Sequence, residues 1–269
     1  MRIALGIEYD GSAFCGWQTQ QTGIRAIQPL VQAAVESVAA HSIVLHCAGR
    51  TDTGVHAAYQ VVHFETQATR SMRAWVLGTN ANLPGAVGVL WARPVADDFH
   101  ARFSAYSRAY AYIISNRRTR PALWRGKVTW ECRPLNGDAM ARAAAYWLGE
   151  HDFSSFRANS CQSRSPMRRV TRCDIETTDQ LIILNVEANA FLQHMVRNFA
   201  GVLLDIGRGR HPPEWAHELL LARNRAVGGM TAPPDGLYLT AVRYADRFAL
   251  PAPTWARPAL PCYNGPAFD

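Results

Sequence analysis

Two stretches of this chain pass through the same order of hydrophobic periods, and that order restricts the fold more than any other feature. In the first, Ile3, Leu5, Ile7 and Tyr9 alternate with small or polar positions and predict a strand over 2–10. Ile27, Leu30, Val31, Ala34, Val35 and Val38 then fall at helical spacing. Strands follow near 43–47 and 59–65, Ser71 caps a helix over 72–81, and Val87, Val89, Trp91 and Val95 mark another strand. The second stretch opens with an alternating run through Tyr106, Arg108, Tyr110, Tyr112 and Ile114. A helix over 138–149, strands at 168–177 and 181–188, a helix over 191–206, a short helix after Pro212-Pro213 and a strand from Leu237 to Tyr244 complete it. Each stretch reads β-α-β-β-α-β, the ferredoxin-like order. The expected fold class is therefore α+β. Two ferredoxin-like units with largely antiparallel sheets are expected to stand side by side, with a cleft at their junction, a favoured place for a catalytic site. The units cover 1–105 and 106–248. A tail over 249–269 holds five prolines, at 251, 253, 258, 261 and 266, and is expected to be extended.

Between the third and fourth apolar runs lies Cys47-Ala48-Gly49-Arg50-Thr51-Asp52-Thr53-Gly54-Val55-His56-Ala57. It is long for a hairpin connection and holds two glycines, a guanidinium and a carboxylate two positions apart. Loops carried by a rigid scaffold are where chemistry usually sits, and Gly49 and Gly54 allow the backbone to fold tightly around whatever Asp52 touches. Taken alone, the stretch is equally an ordinary polar loop with a surface ion pair. Asp52-Thr53-Gly54 also spells the aspartic protease triplet, but those enzymes need two such carboxylates sharing a proton, and no second Asp-Thr-Gly or Asp-Ser-Gly occurs.

The net charge of +7 suits a polyanionic partner. Of the 28 basic residues only Lys127 is a lysine. Arginine grips phosphate bidentately and stacks on bases, as RNA recognition requires, although a genomic bias toward arginine codons would produce the same imbalance. The six cysteines form no C-x-x-C pair and read as reduced thiols of a cytoplasmic protein. No leader layout follows Met1, and no apolar run is long enough for a membrane span. His46, Cys47 and His56 fit no standard zinc spacing, so no metal is expected.

The Asp52 loop closely resembles the catalytic motif of the tRNA pseudouridine synthase family. The resemblance extends through Tyr9-Asp10-Gly11-Ser12, Gly16-Trp17-Gln18, Gln60-Val61-Val62-His63-Phe64 and Asn80-Ala81-Asn82-Leu83-Pro84-Gly85. It continues through Asp97-Asp98-Phe99-His100-Ala101-Arg102-Phe103-Ser104-Ala105, Phe191-Leu192-Gln193-His194-Met195-Val196-Arg197-Asn198 and Gly236-Leu237-Tyr238-Leu239. It implies an isomerase that works without cofactor on uridines 38, 39 and 40 in the anticodon stem-loop of tRNA, as a homodimer. Asp52 is then the catalytic carboxylate, attacking ribose C1′ or uracil C6 or abstracting a ribose proton. Such a group can form and release an ester or stabilise an oxocarbenium-like charge. The resemblance gives Arg197 the ion pair with Asp52, leaving Arg50 to grip phosphate or the flipped nucleotide. Apolar Phe191, Leu192, Met195, Val196, Phe199 and Val202 around Arg197 imply a buried helix, on which an arginine needs a partner. Tyr110 matches the family tyrosine that stacks on the target base, with Tyr112, on the same strand face, as the alternative. Arg102, Arg157, Arg164, Arg168 and Arg169 offer a phosphate-contacting surface. The chain departs from the family wording at Ala109 and Ala111, where basic residues are common, and at Thr53, where alanine is usual. The opposing class is a non-catalytic tRNA-binding module on the same fold.

Overall fold

A computed structural model of the protein describes residues 1–18 and 25–254. Most of the expected tail, 255–269, and residues 19–24 lie outside the described residues. The chain is α+β, with mostly antiparallel strands and, among the described residues, five α-helices. It forms two compact units. One contains residues 1–108 and 238–254 of the described chain, the other residues 109–237.

In the first unit β1 (Arg2–Tyr9) is followed by α1 (Ile27–Ala39), β2 (His46–Cys47), β3 (His56–Glu65), α2 (Met72–Ala81) and β4 (Val87–Val95). β1 pairs antiparallel with both β3 and β4, placing Ile3 opposite Phe64 and Leu5 opposite Val62. Ile3, Leu5 and Ile7 are fully buried. At Gly6 a Cβ would fall 2.1 Å from the Trp91 indole, so the ring of β4 occupies the space a side chain would need. Ser71 caps α2, its Oγ accepting the Ala74 N–H at 3.1 Å. At the other end of α2, Asn80 accepts the Val89 N–H at 2.7 Å and donates to the Val89 carbonyl at 2.9 Å, tying the helix terminus to β4.

The strand expected at 43–47 shrinks to His46–Cys47, paired with β3 at His63 and Val62. β3 begins at His56 rather than 59, so the loop carrying Asp52 runs only from 48 to 55. The reason lies in the last strand, which returns to this unit and extends the ladder to residues that carry no alternation of their own.

The second unit receives β5 (Ala105–Asn116), β6 (Thr129–Glu131), α3 (Gly137–Ala145), β7 (Gly149–Asp152), β8 (Met167–Thr177), β9 (Leu181–Ala188), α4 (Met195–Gly207) and α5 (Trp215–Ala222). Its strands run in the order β5-β9-β8-β7, with β6 parallel to β5. Two strands were not expected. β6 is too short to show a period, and β7 (Gly149-Glu150-His151-Asp152) has no apolar side chain. β7 is a strand because β8 supplies a pairing edge and Arg169 a partner for Glu150 at 2.8 Å. The helix expected to 149 ends at Ala145, and Gly149 takes a left-handed φ of 102°. β10 (Leu237–Tyr244) then pairs in parallel with β3, Tyr238 opposite His56.

Trp147 and Phe199 stack at 4.1 Å in the core of the second unit, edged by Phe153 and Phe156. Beneath α4 the buried carboxylate of Glu131 accepts from Arg133 Nε at 2.8 Å and Arg208 Nε at 2.9 Å. Burial alone would raise its pKa, but bonds from both arginines outweigh that and hold it at about 2. Removing one partner of a buried pair leaves the others uncompensated, so Glu131→Ala should lower the unfolding free energy by about 3–5 kcal/mol. A denaturant midpoint close to wild type would show that this cluster does not anchor α4.

Candidate active site

Loop 48–55 is fastened through its carbonyls. Arg108 Nη2 donates to the Ala48 carbonyl at 3.2 Å, and Gln60 Nε2 to that of Gly49 at 2.7 Å. The Trp17 N–H donates to the Thr51 carbonyl at 3.0 Å, and the Val55 N–H to that of Asp52 at 3.1 Å. The Gly54 N–H reaches the Phe14 carbonyl at 3.2 Å, while Thr51 Oγ1 and the Tyr9 hydroxyl bond at 2.8 Å. Two glycines permit this packing. A Cβ on Gly11 would sit 2.0 Å from the Val55 carbonyl oxygen, and Gly54 has a φ of 78°, which strains any residue with a Cβ. On the loop Asp52 is half-buried, while Arg50 and Thr53 are exposed. Burial pushes the neighbouring Cys47 thiol up to about 11, which keeps it protonated and inert.

His56 closes the loop. It is buried, accepts the Gly11 N–H on Nδ1 at 3.1 Å, and stacks on Tyr238 at 4.5 Å. Three separated motifs thus meet on one imidazole. Arg108, which the sequence reading assigned no role, joins the Asp97–Ala105 segment to the loop. Besides Ala48 it bonds the carbonyls of Arg102 at 2.6 Å and Ala105 at 2.9 Å. The same segment rests on His63, whose Nδ1 accepts the Ala101 N–H at 3.1 Å.

Tyr110 and Arg197 belong to the second unit. Tyr110 is half-buried on β5 and meets Phe191 edge-on at 5.0 Å. Phe191 does not lie on the helix as expected. α4 begins four residues later at Met195, because His194 takes a left-handed conformation with φ 62° and Met195 bonds back to Leu192. All of α4 is buried except Arg197 and Asp205, in keeping with the buried helix read from its apolar positions. Arg197 Nε donates to the Ala232 carbonyl at 2.8 Å, and the Ala232 N–H to the Arg197 carbonyl at 3.1 Å. That segment approaches so closely that a Cβ on Gly201 would fall 1.8 Å from the Met230 oxygen. Buried Asn198 holds it further, accepting from Thr231 Oγ1 at 2.6 Å and from Arg225 Nη2 at 3.2 Å. No periodicity marks Asn198 or Arg225; only their place beside Arg197 in the fold reveals them.

Tyr112 is a core residue. Its hydroxyl donates to the Pro233 carbonyl at 2.8 Å and accepts from Thr129 at 2.6 Å, and burial raises its pKa. The remaining arginines separate by their bonding. Arg168 is spent on its own loop, giving Nη1 to the Ser165 and Met167 carbonyls and Nη2 to Ser163. Arg169 pairs with Glu150. Arg157 holds the Cys161 carbonyl at 2.9 Å, Arg102 lies 5.5 Å over the Phe103 ring, and Arg164 is exposed. Among the described residues no three His, Cys, Asp or Glu side chains are arranged to hold a metal, and no helix is long and apolar enough to cross a membrane.

The sequence model of a family described as tRNA pseudouridine synthase matches residues 6–104 and 143–245 of this chain. The chain is 51% identical to the tRNA pseudouridine synthase A of Alcanivorax borkumensis, across 94% of this chain and 97% of that protein. It is 55% identical to the protein of the same name from Nitrosococcus oceani, across 93% and 96%. For that of Methylococcus capsulatus the identity is 54% across 93% and 92%. A chain of the solved Cbf5-Nop10-Gar1 complex aligns with 88% of this chain, which spans 48% of it, at a TM-score of 0.36 and 12% identity, a likeness too weak to bear on fold or function.

The His63 cradle has a measurable consequence. Burial, with smaller contributions from His100 and His46, lowers its pKa to about 3. Below pH 6.5 the unfolded chain takes up a proton that the folded chain refuses. The stabilisation is therefore complete above about pH 6.5 and is lost as the pH falls toward 3, at about 1.4 kcal/mol per pH unit. His63→Asn retains an acceptor for the Ala101 N–H without the titration. Its unfolding free energy, measured from pH 6.5 to 4, should fall less steeply than that of wild type by about one proton's worth; parallel curves would refute the assignment.

Proposed function

The chain belongs to the tRNA pseudouridine synthase family, and on that premise we propose that it isomerises uridine to pseudouridine at positions 38, 39 and 40 in the anticodon stem-loop of tRNA. The observation that carries this reading is the half-buried Asp52 on a loop whose carbonyls are tied down by Arg108, Gln60 and Trp17. A carboxylate carried on a backbone held so firmly has much of the cost of positioning it met in folding rather than at the reaction.

In this reading the N1–C1′ bond of the target uridine breaks, the uracil turns, C5 bonds to C1′ and then gives up its proton, and N1 ends carrying a proton. Asp52 supplies the carboxylate, by attack on C1′ or C6 or by removing a ribose proton. Arg197 is its counter-charge beside a polyanionic substrate that otherwise disfavours a second negative charge. Arg50, exposed on the same loop, grips the RNA. Tyr110, braced edge-on by Phe191, is the platform for the base taken out of its stack. The antiparallel order β4-β1-β3, with β2 also paired to β3 and two helices between strands, supports a ferredoxin-like first unit. The homodimer that the resemblance implies is part of the same proposal, and sedimentation of the purified chain decides it.

Mapping pseudouridine in unmodified tRNA incubated with the protein tests the reaction and its positions together. Asp52→Asn should retain tRNA binding while its single-turnover rate falls by several orders of magnitude. Arg197→Met should lower the same rate without abolishing binding. Pseudouridine formed by Asp52→Asn at the wild-type rate would remove Asp52 from the chemistry.

Tyr110 separates stacking from proton transfer. Tyr110→Phe keeps the ring and should bind tRNA normally; a slowed single turnover would assign the hydroxyl to a proton step. Tyr110→Leu loses the platform, and with base stacking worth about 1–3 kcal/mol it should weaken tRNA binding by roughly ten- to a hundredfold. Unchanged affinity and turnover in Tyr110→Leu would exclude Tyr110 from the site.

A further inference from the structure

A cavity of about 720 Å³ opens in the second unit, lined by residues of the stretches 154–159 and 223–226 together with His194 and Thr231. Arg157 comes from the turn after β7, His194 from the bend before α4, and Arg223 and Arg225 from the segment after α5, with Asn159 and Asn224 between them. No carboxylate is among the lining residues. Arg223 is ion-paired with Asp152, its Nε 3.8 Å from Oδ2, a separation too long for a hydrogen bond.

Arg225 and Arg157 are each held through one terminal nitrogen. Arg225 uses Nη2 on Asn198 and Thr231. Its Nη1 lies where a Cβ on Gly228 would come within 2.9 Å, so that glycine leaves room for the guanidinium. Arg157 uses Nη2 on the Cys161 carbonyl. The remaining donors of both are available to a ligand. His194, which lines the cavity, has a left-handed backbone with φ 62°, a conformation that a residue with a Cβ seldom adopts. Conformations of that kind accumulate where geometry serves a ligand.

We propose that this cavity holds a phosphodiester and its nucleotide from the substrate RNA, at a position other than the target uridine. The inference rests on the reading that tRNA is the substrate and assigns its RNA contact to Arg157, Arg223 and Arg225 together. Three guanidiniums with no carboxylate in the lining match a phosphate, which accepts bidentate bonds. The volume is several times that of a phosphate alone and admits a nucleotide.

The test is equilibrium binding of an unmodified tRNA transcript across salt concentrations, with melting temperatures as a control for folding. Each phosphate neutralised contributes roughly 0.7–0.9 to the slope of log K against log salt. Arg157→Gln with Arg223→Gln should weaken binding about tenfold and reduce the slope by roughly one. Arg157→Lys with Arg223→Lys should retain most of the slope. Arg142→Gln, an exposed charge on α3 outside the cavity, should change it less. Arg223→Gln alone, also exposed, serves if the double variant does not fold. An unchanged slope, or an equal fall with Arg142→Gln, overturns the proposal. If uridine 5′-monophosphate binds calorimetrically through these arginines while the tRNA slope is unchanged, the cavity takes free nucleotide instead and the RNA assignment falls. A reduced slope in a protein that forms no pseudouridine would leave the cavity assignment standing and the proposed reaction refuted.

Discussion

The structure around Asp52 depends on satisfying the backbone of an eight-residue loop that sits against the sheet. Buried carbonyls without partners are costly, and here Ala48, Gly49, Thr51 and Asp52 each find a donor. The donors come from distant parts of the chain: Arg108, Gln60, Trp17 and, locally, Val55. Motifs that look independent along the chain are therefore one physical object. Gly11 is required because the Val55 carbonyl occupies its Cβ position, and Tyr9 because its hydroxyl meets Thr51.

In the second unit the corresponding constraint is the close approach of segment 228–232 to α4. Gly201 admits it, Asn198 and Arg225 bond it, and Ala232 exchanges two hydrogen bonds with Arg197. A long arginine side chain loses much rotamer freedom when ordered. Here the segment that fixes it is itself packed against a helix whose other residues, Asp205 apart, are buried. Phe199 on the same helix belongs to the core it forms with Trp147, Phe153 and Phe156.

The arginine-rich composition divides by environment into two uses. Arg108, Arg133, Arg168 and Arg208 bind carbonyls or a buried carboxylate and act as structural donors. Arg50, Arg164 and Arg223 are exposed, where charge and a planar fork face solvent or a polyanion. Net charge alone does not distinguish these groups. Arg168, which has a place in the phosphate-contacting surface read from the sequence, has its terminal nitrogens occupied by its own loop.

Periodicity by itself determined the elements that carry a strong pattern. α2 falls at 72–81 with Ser71 as its cap, β9 at 181–188, and β10 at Leu237–Tyr244, because in each the local pattern and the packing agree. The wording of the motifs determined the family and singled out Asp52, Tyr110 and Arg197. Only tertiary structure decided β6 and β7, whose residues pair because a neighbouring strand offers an edge. It also decided the late start of α4, since a left-handed His194 cannot be read from an apolar spacing that continues back to Phe191. The contributions of Arg108, His56, Asn198 and Arg225 were hidden for the same reason. Each acts on backbone or side chains remote in sequence, and a local pattern carries no record of where a distant carbonyl will be.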